Sequence, residues 1–475
     1  MAPLPAGAER LSLAVIRGYD QAPMEASLPP GPRFPVPLQT AAWIMRPTQA
    51  MDACARRYGD TFTFSLQRIG KLVFISHPDD VKAVFTGSAE RLHAGEANAI
   101  LEPVLGSESI LLLDEKRHIR QRKLMLPAFH GERLQRYREQ MESIAAAELE
   151  RWPLGTLTAA RPHTQAITLD VIMRTVFGVE EGERMTRLRT ALKELLEWTT
   201  ARRRLFMVAA FGPERLGESQ VLGFLRVRRE VDELVFDEIR RRSKDPALAE
   251  RDDVLSMLLG ARDEDGEPMT RVEIRDELMT LLVAGHETTA TSLAWALEQL
   301  ARHPAALERL EGGGNEEYLD AVVQEVLRLR PVIVVVVRRL TEPMELGGQV
   351  LPAGVSVAPC IYLMHRRPEI YPDPEAFRPE RFLESPPGTY TWIPFGGGVR
   401  RCLGAQFAQL EMKTVLATIL RQTRLRPSTA APERMARRAI TFVPDRGGRV
   451  VLDPLEAHAT RRGAAAPTVA ETAST

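Results

Sequence analysis

Apolar positions recur with helical spacing through most of the 475-residue chain, and the polar residues between them mark where each helix begins and ends. The longest predicted helix opens at Thr270. Thr270 and Glu273 have capping-box spacing ahead of an apolar run from Leu278, and the pattern holds to about Arg302. A second helix follows Asn315, a candidate N-cap before Glu316 and Glu317, and ends at Leu329 because Pro331 cannot continue it. Shorter apolar runs predict strands at 62–66, 72–75, 332–337, 355–358 and 449–452. The pattern as a whole is mainly α with small β-sheets, an α+β body.

The ends of the chain read differently. Residues 28–37 (LPPGPRFPVP) carry so much proline that an extended lead-in is expected rather than helix. Residues 456–475, rich in Ala, Thr, Arg and Gly without apolar periodicity, are expected to be a disordered tail. The expected organisation is an N-terminal extension at 1–27, one domain at 28–455, and the tail.

Composition narrows the function classes. Hydrophobic residues at 44% and charged residues at 27% supply an ordinary globular core. Lys plus Arg (63) equals Asp plus Glu (63), so no whole-molecule attraction to nucleic acid or anionic lipid is expected. The three cysteines are too few for a disulfide framework or a paired-cysteine zinc site, which suits a reducing, cytoplasmic compartment. The one apolar run near the start, residues 11–16, falls far short of the roughly 18 to 20 residues of a membrane span, so no anchor is expected.

Phe395-Gly-Gly-Gly-Val-Arg-Arg-Cys402-Leu-Gly404 places four glycines around one cysteine, ahead of a helix-like stretch at 405–420. Such a loop lets backbone approach a flat ligand and directs amide N–H groups at a thiolate. A helix N-terminus also favours the anionic sulfur. Cys54, expected in an amphipathic helix, and Cys360, expected in an apolar strand, have no such context and read as small buried hydrophobes.

The pattern Phe395-x-x-Gly398-x-Arg400-x-Cys402-x-Gly404 resembles the haem-binding signature of the cytochrome P-450 monooxygenases. The resemblance implies that Cys402 is the axial ligand of the iron of haem b (iron protoporphyrin IX), with Phe395, Gly396, Arg400 and Gly404 around it. It also implies a single cytochrome P-450 fold, with the haem between the long central helix and the cysteine-loop helix.

Three further constellations follow the family's order. Glu325 and Arg328, at i and i+3, would by themselves be a solvated pair; the resemblance implies a buried pair joined by Arg381 of the Phe377-Arg-Pro-Glu-Arg-Phe382 segment. Ala284-Gly-His-Glu-Thr-Thr289 puts Gly285 inside a helix, at a cost of roughly 1 kcal/mol relative to alanine. Either Gly285 permits close packing while Thr288 bonds back to a carbonyl, or, as the resemblance implies, a locally opened helix leaves room for dioxygen beside Ala284, with Glu287 and Thr288 organising proton delivery. His118 and Arg122 share a helix face and are either solvated or, as in the family, set against a haem propionate. Arg338 and Arg400 match further propionate-binding arginines, and Arg339 competes with Arg338.

The function implied is a haem-thiolate monooxygenase that inserts one oxygen atom from O2 into a C–H bond, with electrons from a separate ferredoxin-like protein. Arg117, Arg120, Lys123 and Arg401 are candidates for a basic docking patch. A substrate pocket is expected from 88–113, 192–223, the long helix near Val283 and Ala284, 332–337 and 440–443. These stretches are largely apolar, so a hydrophobic substrate is expected; the segments LPPGP (28–32), RYGDTF (57–62) and LMLPAFHGERL (124–134) resemble those of bacterial family members acting on fatty acids, terpenes or steroids, which implies a substrate of that kind. The alternatives are a peroxide-driven peroxygenase and a non-enzymatic haem carrier or sensor.

Overall fold

The computed structural model describes residues 28–455, apart from 68, 130, 132, 179–181, 201–217 and 312–314. The predicted extension and tail lie outside the described residues.

The long central helix spans Arg271–Arg302 and begins as its sequence dictates. Thr270 Oγ1 accepts from Glu273 N at 3.1 Å, while Glu273 Oε2 accepts from Thr270 N at 2.6 Å. This reciprocal cap satisfies two amide donors that the first turn leaves free. Beyond it the helix is buried nearly all round, because helices Ala160–Phe177, Glu316–Leu329 and Ala405–Gln422 all pack against it. The Glu316–Leu329 helix carries the expected cap, Asn315 Oδ1 accepting from Tyr318 N at 2.9 Å. One apolar core runs through all four helices.

A five-stranded sheet flanks this helical body, in the order Thr61–Leu66, Gly70–Ile75, Ser356–Pro359, Arg338–Leu340, Leu92–His93. Among the described strands, only Gly70–Ile75 and Ser356–Pro359 pair in parallel. The run Leu72-Val-Phe-Ile75 is apolar at every position because both sheet faces are covered. Leu72 and Phe74 enter one core with Phe62, Phe64 and Trp43, and Val73 and Ile75 enter another with Val81 and Phe85. Phe62 stacks on its cross-strand partner Phe74, with centroids 5.2 Å apart.

Four sequence-based expectations need correction. Residues 332–337 do not form a strand: beyond an isolated bridge from Val335 to Cys360, they run as irregular chain until Arg338. Their apolar character reflects a cavity wall rather than a ladder. Residues 449–452 split into Arg449–Val450 and Leu452–Pro454, which pair with different partners, Thr158–Ala159 and Thr423–Leu425. The proline-rich lead-in gives way at Val36 to helix Val36–Met45, where Pro37 occupies the first turn and its missing N–H costs nothing. Cys360 lies just past its predicted strand, as N-cap of the short helix Ile361–Met364.

Candidate active site

A cavity of about 2640 Å³ opens between the central helix and the start of the Ala405–Gln422 helix. Cys402, Phe395, Gly396, Arg400 and Gly404 line one side of it. Ala284, Glu287 and Thr288 come from the central helix, and His118, Arg122 and Arg338 from two other elements. Every residue singled out for cofactor or oxygen chemistry therefore meets in one space, from segments far apart in sequence.

The cysteine loop is pressed against helix Pro78–Thr86. Gly396 and Gly398 have φ of 68° and 65°, a region where side chains are strained. A Cβ on Gly398 would lie 1.7 Å from the Phe85 carbonyl oxygen. Cys402 N donates to Phe395 O at 3.0 Å, which closes the loop. The Cys402 side chain is exposed to the cavity. Its crowded surroundings push the thiol up, while the Gly404 N–H, Arg122 and Arg401 oppose that shift.

Positive charge gathers beside this loop. His118 is buried, its Nδ1 has no hydrogen-bond partner among the described residues, and desolvation together with Arg400, Arg122 and Arg338 pushes its pKa down to about 3. Burial also lowers Arg338 and Arg400 to about 10. Arg400 pairs with Asp114 and donates to Leu113 O, and Arg122 donates to Arg401 O at 2.7 Å. One carboxylate for three guanidiniums is too little negative charge for so buried a cluster. Arg339, the strand neighbour of Arg338, points the other way to Glu96 at 3.3 Å and does not line the cavity.

Across the cavity the central helix is unbroken α-helix through Ala284-Gly-His-Glu-Thr288, so the expected local opening is not seen. Thr288 Oγ1 donates to Ala284 O at 2.6 Å, and a Cβ on Gly285 would lie 3.1 Å from Ile172 Cδ1. Helix packing and a back-bond therefore account for these two residues in this conformation. Glu287 is buried, ion-paired with Arg161, and accepts from Gln165 Nε2 at 2.8 Å.

Glu325, Arg328 and Arg381 lie away from the cavity. Glu325 and Arg328 are fully buried and 2.6 Å apart, and Arg381 Nε reaches Glu325 at 3.1 Å. Arg328 also donates to the carbonyls of His365, Pro374 and Ala376, stapling the Glu316–Leu329 helix to the chain that leads into the cysteine loop. Sequence reasoning missed His365 in this network. Its Nε2 accepts from Ile393 N at 2.9 Å, so Nδ1 carries the proton toward Arg328 O. Asp114 was missed as well; it receives three backbone N–H groups, from Ala94, Gly95 and Glu96, besides Arg400. Its place just before helix Glu115–Met125 signals a cap, but nothing in the sequence signals the long-range pair.

The predicted basic patch is largely neutralised. Arg117 pairs with Glu108, Arg120 with Asp263 and Glu273, and Lys123 with Glu264, leaving Arg401 exposed with no ion pair among the described residues. The pocket segments 88–113, 332–337 and 440–443 each contribute lining residues, as do Leu196, Trp198 and Phe224; positions 201–217 of the 192–223 segment lie outside the described residues. The N-terminal helix at Trp43 and the hairpin at Met435 also line the cavity, which the sequence did not suggest. No helix among the described residues is long and apolar enough to cross a membrane.

Residues 28–448 match the cytochrome P450 family model. The chain belongs to the cytochrome P450 family. It is 43% identical over 435 residues to cytochrome P450 135B1 of Mycobacterium tuberculosis, covering 89% of this chain and 91% of that one. It is also 39% identical over 438 residues to cytochrome P450 138 of the same organism, covering 91% and 97%. Among solved structures, the retinoic acid-bound cyanobacterial CYP120A1 matches with a TM-score of 0.77 and 26% identity, over 91% of this chain and all of that one. The haem domain of cytochrome P450DA, at 23% identity and a TM-score of 0.78, shows the shared fold.

Cytochrome P450 proteins are haem-thiolate monooxygenases, and the cofactor of this chain is haem. The cavity fits that group on its own terms. A thiol is exposed at one wall, the glycine loop allows close approach, and the excess cation beside the orphaned His118 Nδ1 suits the two carboxylates of iron protoporphyrin IX.

Proposed function

We propose that this cytochrome P450 oxidises a C–H bond of a hydrophobic substrate, using O2 and electrons from a separate ferredoxin-type protein. The observation that carries the reading is the facing of Cys402 by Ala284, Glu287 and Thr288 across one largely apolar cavity. Bound there, haem supplies the oxygen-activating chemistry, which a thiolate ligand favours by promoting heterolytic O–O cleavage.

The chain's own residues have separable roles. Cys402 provides the thiolate, held in place by the Phe395 carbonyl and the Gly404 amide. His118, Arg122, Arg338 and Arg400 bind the propionates, where a neutral His118 offers one N–H donor. Phe395, Gly396 and Gly404 shape the face of the loop. Thr288 presents a hydroxyl whose proton now goes to Ala284 O and becomes available when that bond turns outward. Glu287 holds the next proton position, and opening the Arg161 pair frees it. Glu325, Arg328 and Arg381 hold the cysteine loop's support rigid.

The walls at Val332, Ile333, Val334 and Ile440 exclude water and orient an apolar molecule. The similar cyanobacterial structure that holds retinoic acid agrees with a ligand of that character. Arg401 beside the cysteine is the cation left for a redox partner. The three unpaired cysteines agree with a cytoplasmic setting.

The test is the absorption spectrum of the dithionite-reduced protein under carbon monoxide. A strongly red-shifted Soret band in the native protein, lost in Cys402→His, is the expected result. A band at the shorter wavelength of histidine-ligated haem in intact native protein would overturn the assignment.

A further inference from the structure

The antiparallel hairpin Met435–Arg438 and Thr441–Pro444 forms one wall of the cavity. Its consecutive arginines face different surroundings. Arg438 acts electrostatically on His286 of the central helix. Arg437 instead lies against Trp43, its guanidinium carbon 5.5 Å from the ring centroid.

The Arg437 Nε donates to Ala439 O at 2.8 Å, in a turn where Ala439 has φ of 54°. An aromatic face and a carbonyl thus fix the guanidinium, while its two terminal nitrogens have no hydrogen-bond or ion-pair partner among the described residues. Burial alone lowers its pKa to about 10, and no acidic neighbour opposes that shift. Arg228, another cation lining the cavity, differs: Asp232, Asp276 and Glu102 all act on it.

Nor does the propionate cluster supply the missing charge. Arg400 and Arg338 act on His118, Asp114 acts on both arginines, and Arg437 figures in none of the three shifts. A guanidinium stays charged throughout the working pH range, and this one is half-buried in the cavity wall with its fork unpartnered among the described residues, so it is free to meet an anionic group that a ligand brings. Its planar fork matches a carboxylate with two parallel hydrogen bonds. The aromatic ring it lies against belongs to an apolar cluster with Ile69, Leu72 and Met435, all of which line the cavity.

Resting on the reading of this cavity as a substrate site, we propose that Arg437 anchors a carboxylate at one end of an otherwise apolar substrate. The acid group is then held away from the His118 cluster, and the carbon presented for oxidation is remote from it.

The experiment titrates the haem-loaded enzyme with laurate and with methyl laurate, following the shift of the haem absorption band. Native protein is expected to bind laurate at least about tenfold more tightly than the ester, the size of one charge-assisted contact. Arg437→Gln removes that preference, and Arg437→Lys keeps part of it. Equal binding of acid and ester by native protein overturns the inference without recourse to any variant. So does a preference that survives in Arg437→Gln, or the failure of every acid from decanoate to palmitate to bind. In each of these cases an intact thiolate band under carbon monoxide shows that the monooxygenase reading stands; loss of that band brings both down.

Discussion

Glu287 on the central helix and Arg161 on the Ala160–Phe177 helix form a buried ion pair across 126 positions of sequence. The acid assigned to proton delivery is therefore held by a cation that the motif around it does not contain. Breaking a buried pair by removing one partner costs roughly 3–5 kcal/mol, because the other charge is left uncompensated. Arg161→Met is expected to lose stability on that scale in urea denaturation. The double variant Arg161→Met/Glu287→Gln should recover most of it.

Coupling should behave differently from stability. Glu287→Gln keeps the contact with Gln165 but cannot hold and release a proton, so product formed per electron should fall at least about tenfold while peroxide rises. The double variant, stable again, should remain uncoupled. Normal coupling there would remove Glu287 from the proton path.

Much of the site was legible because its residues lie close together in sequence. Four glycines around Cys402, the capping box at Thr270 and the i, i+3 pair at Glu325 are local patterns with local causes. What escaped were relationships set by packing between distant segments: Asp114 with Arg400, His365 beneath Arg328, Arg161 against Glu287. The valine run at 332–337 misled for a related reason. Apolar residues at every position suit a buried strand and a cavity wall equally, and only the tertiary fold distinguishes the two.

Glu277, two turns before Ala284, is fully buried, and its carboxyl is pushed up to about 8 by burial. Its Oε1 accepts from Ile110 N at 2.7 Å, and this bond together with the Gln121 side chain opposes the rise without cancelling it. A raised folded pKa means that stability is fully present below the ordinary carboxylate value and declines as pH rises toward about 8. Glu277→Gln keeps an acceptor for Ile110 and cannot ionise. It is expected to flatten the dependence of the urea midpoint on pH over that window and to be more stable than native protein at its upper end. An unchanged slope would show that Glu277 is already ionised in the fold.

Arg338 and Arg339 are adjacent on one strand but face opposite ways, Arg338 to the cavity and Arg339 to Glu96. If Arg338 meets a propionate, its loss removes a charge-assisted hydrogen bond of roughly 1.5–3 kcal/mol. Arg338→Ala should then release haem to an apoglobin scavenger on the order of 10- to 100-fold faster, whereas Arg339→Ala should match native protein. Equal effects of the two substitutions would mean that neither arginine is specific to the propionates.

Gly396 and Gly398 share a left-handed backbone yet should fail differently when a methyl group is added. At Gly396 the methyl meets no protein atom within 4 Å, so the cost to the apoprotein is the backbone penalty, roughly 1–2 kcal/mol. Since Gly396 lines the cavity, the same methyl intrudes where the loop approaches the haem, and haem affinity should fall by more than stability does. At Gly398 the methyl would lie 1.7 Å from Phe85 O, a backbone atom of the Pro78–Thr86 helix that cannot turn aside. Gly398→Ala must therefore displace the loop from that helix and carry Cys402 with it. The expected result is an apoprotein destabilised by several kcal/mol, at the large end of single substitutions, with no thiolate band under carbon monoxide. A Gly398→Ala protein of native stability would mean that the loop does not rest on Phe85.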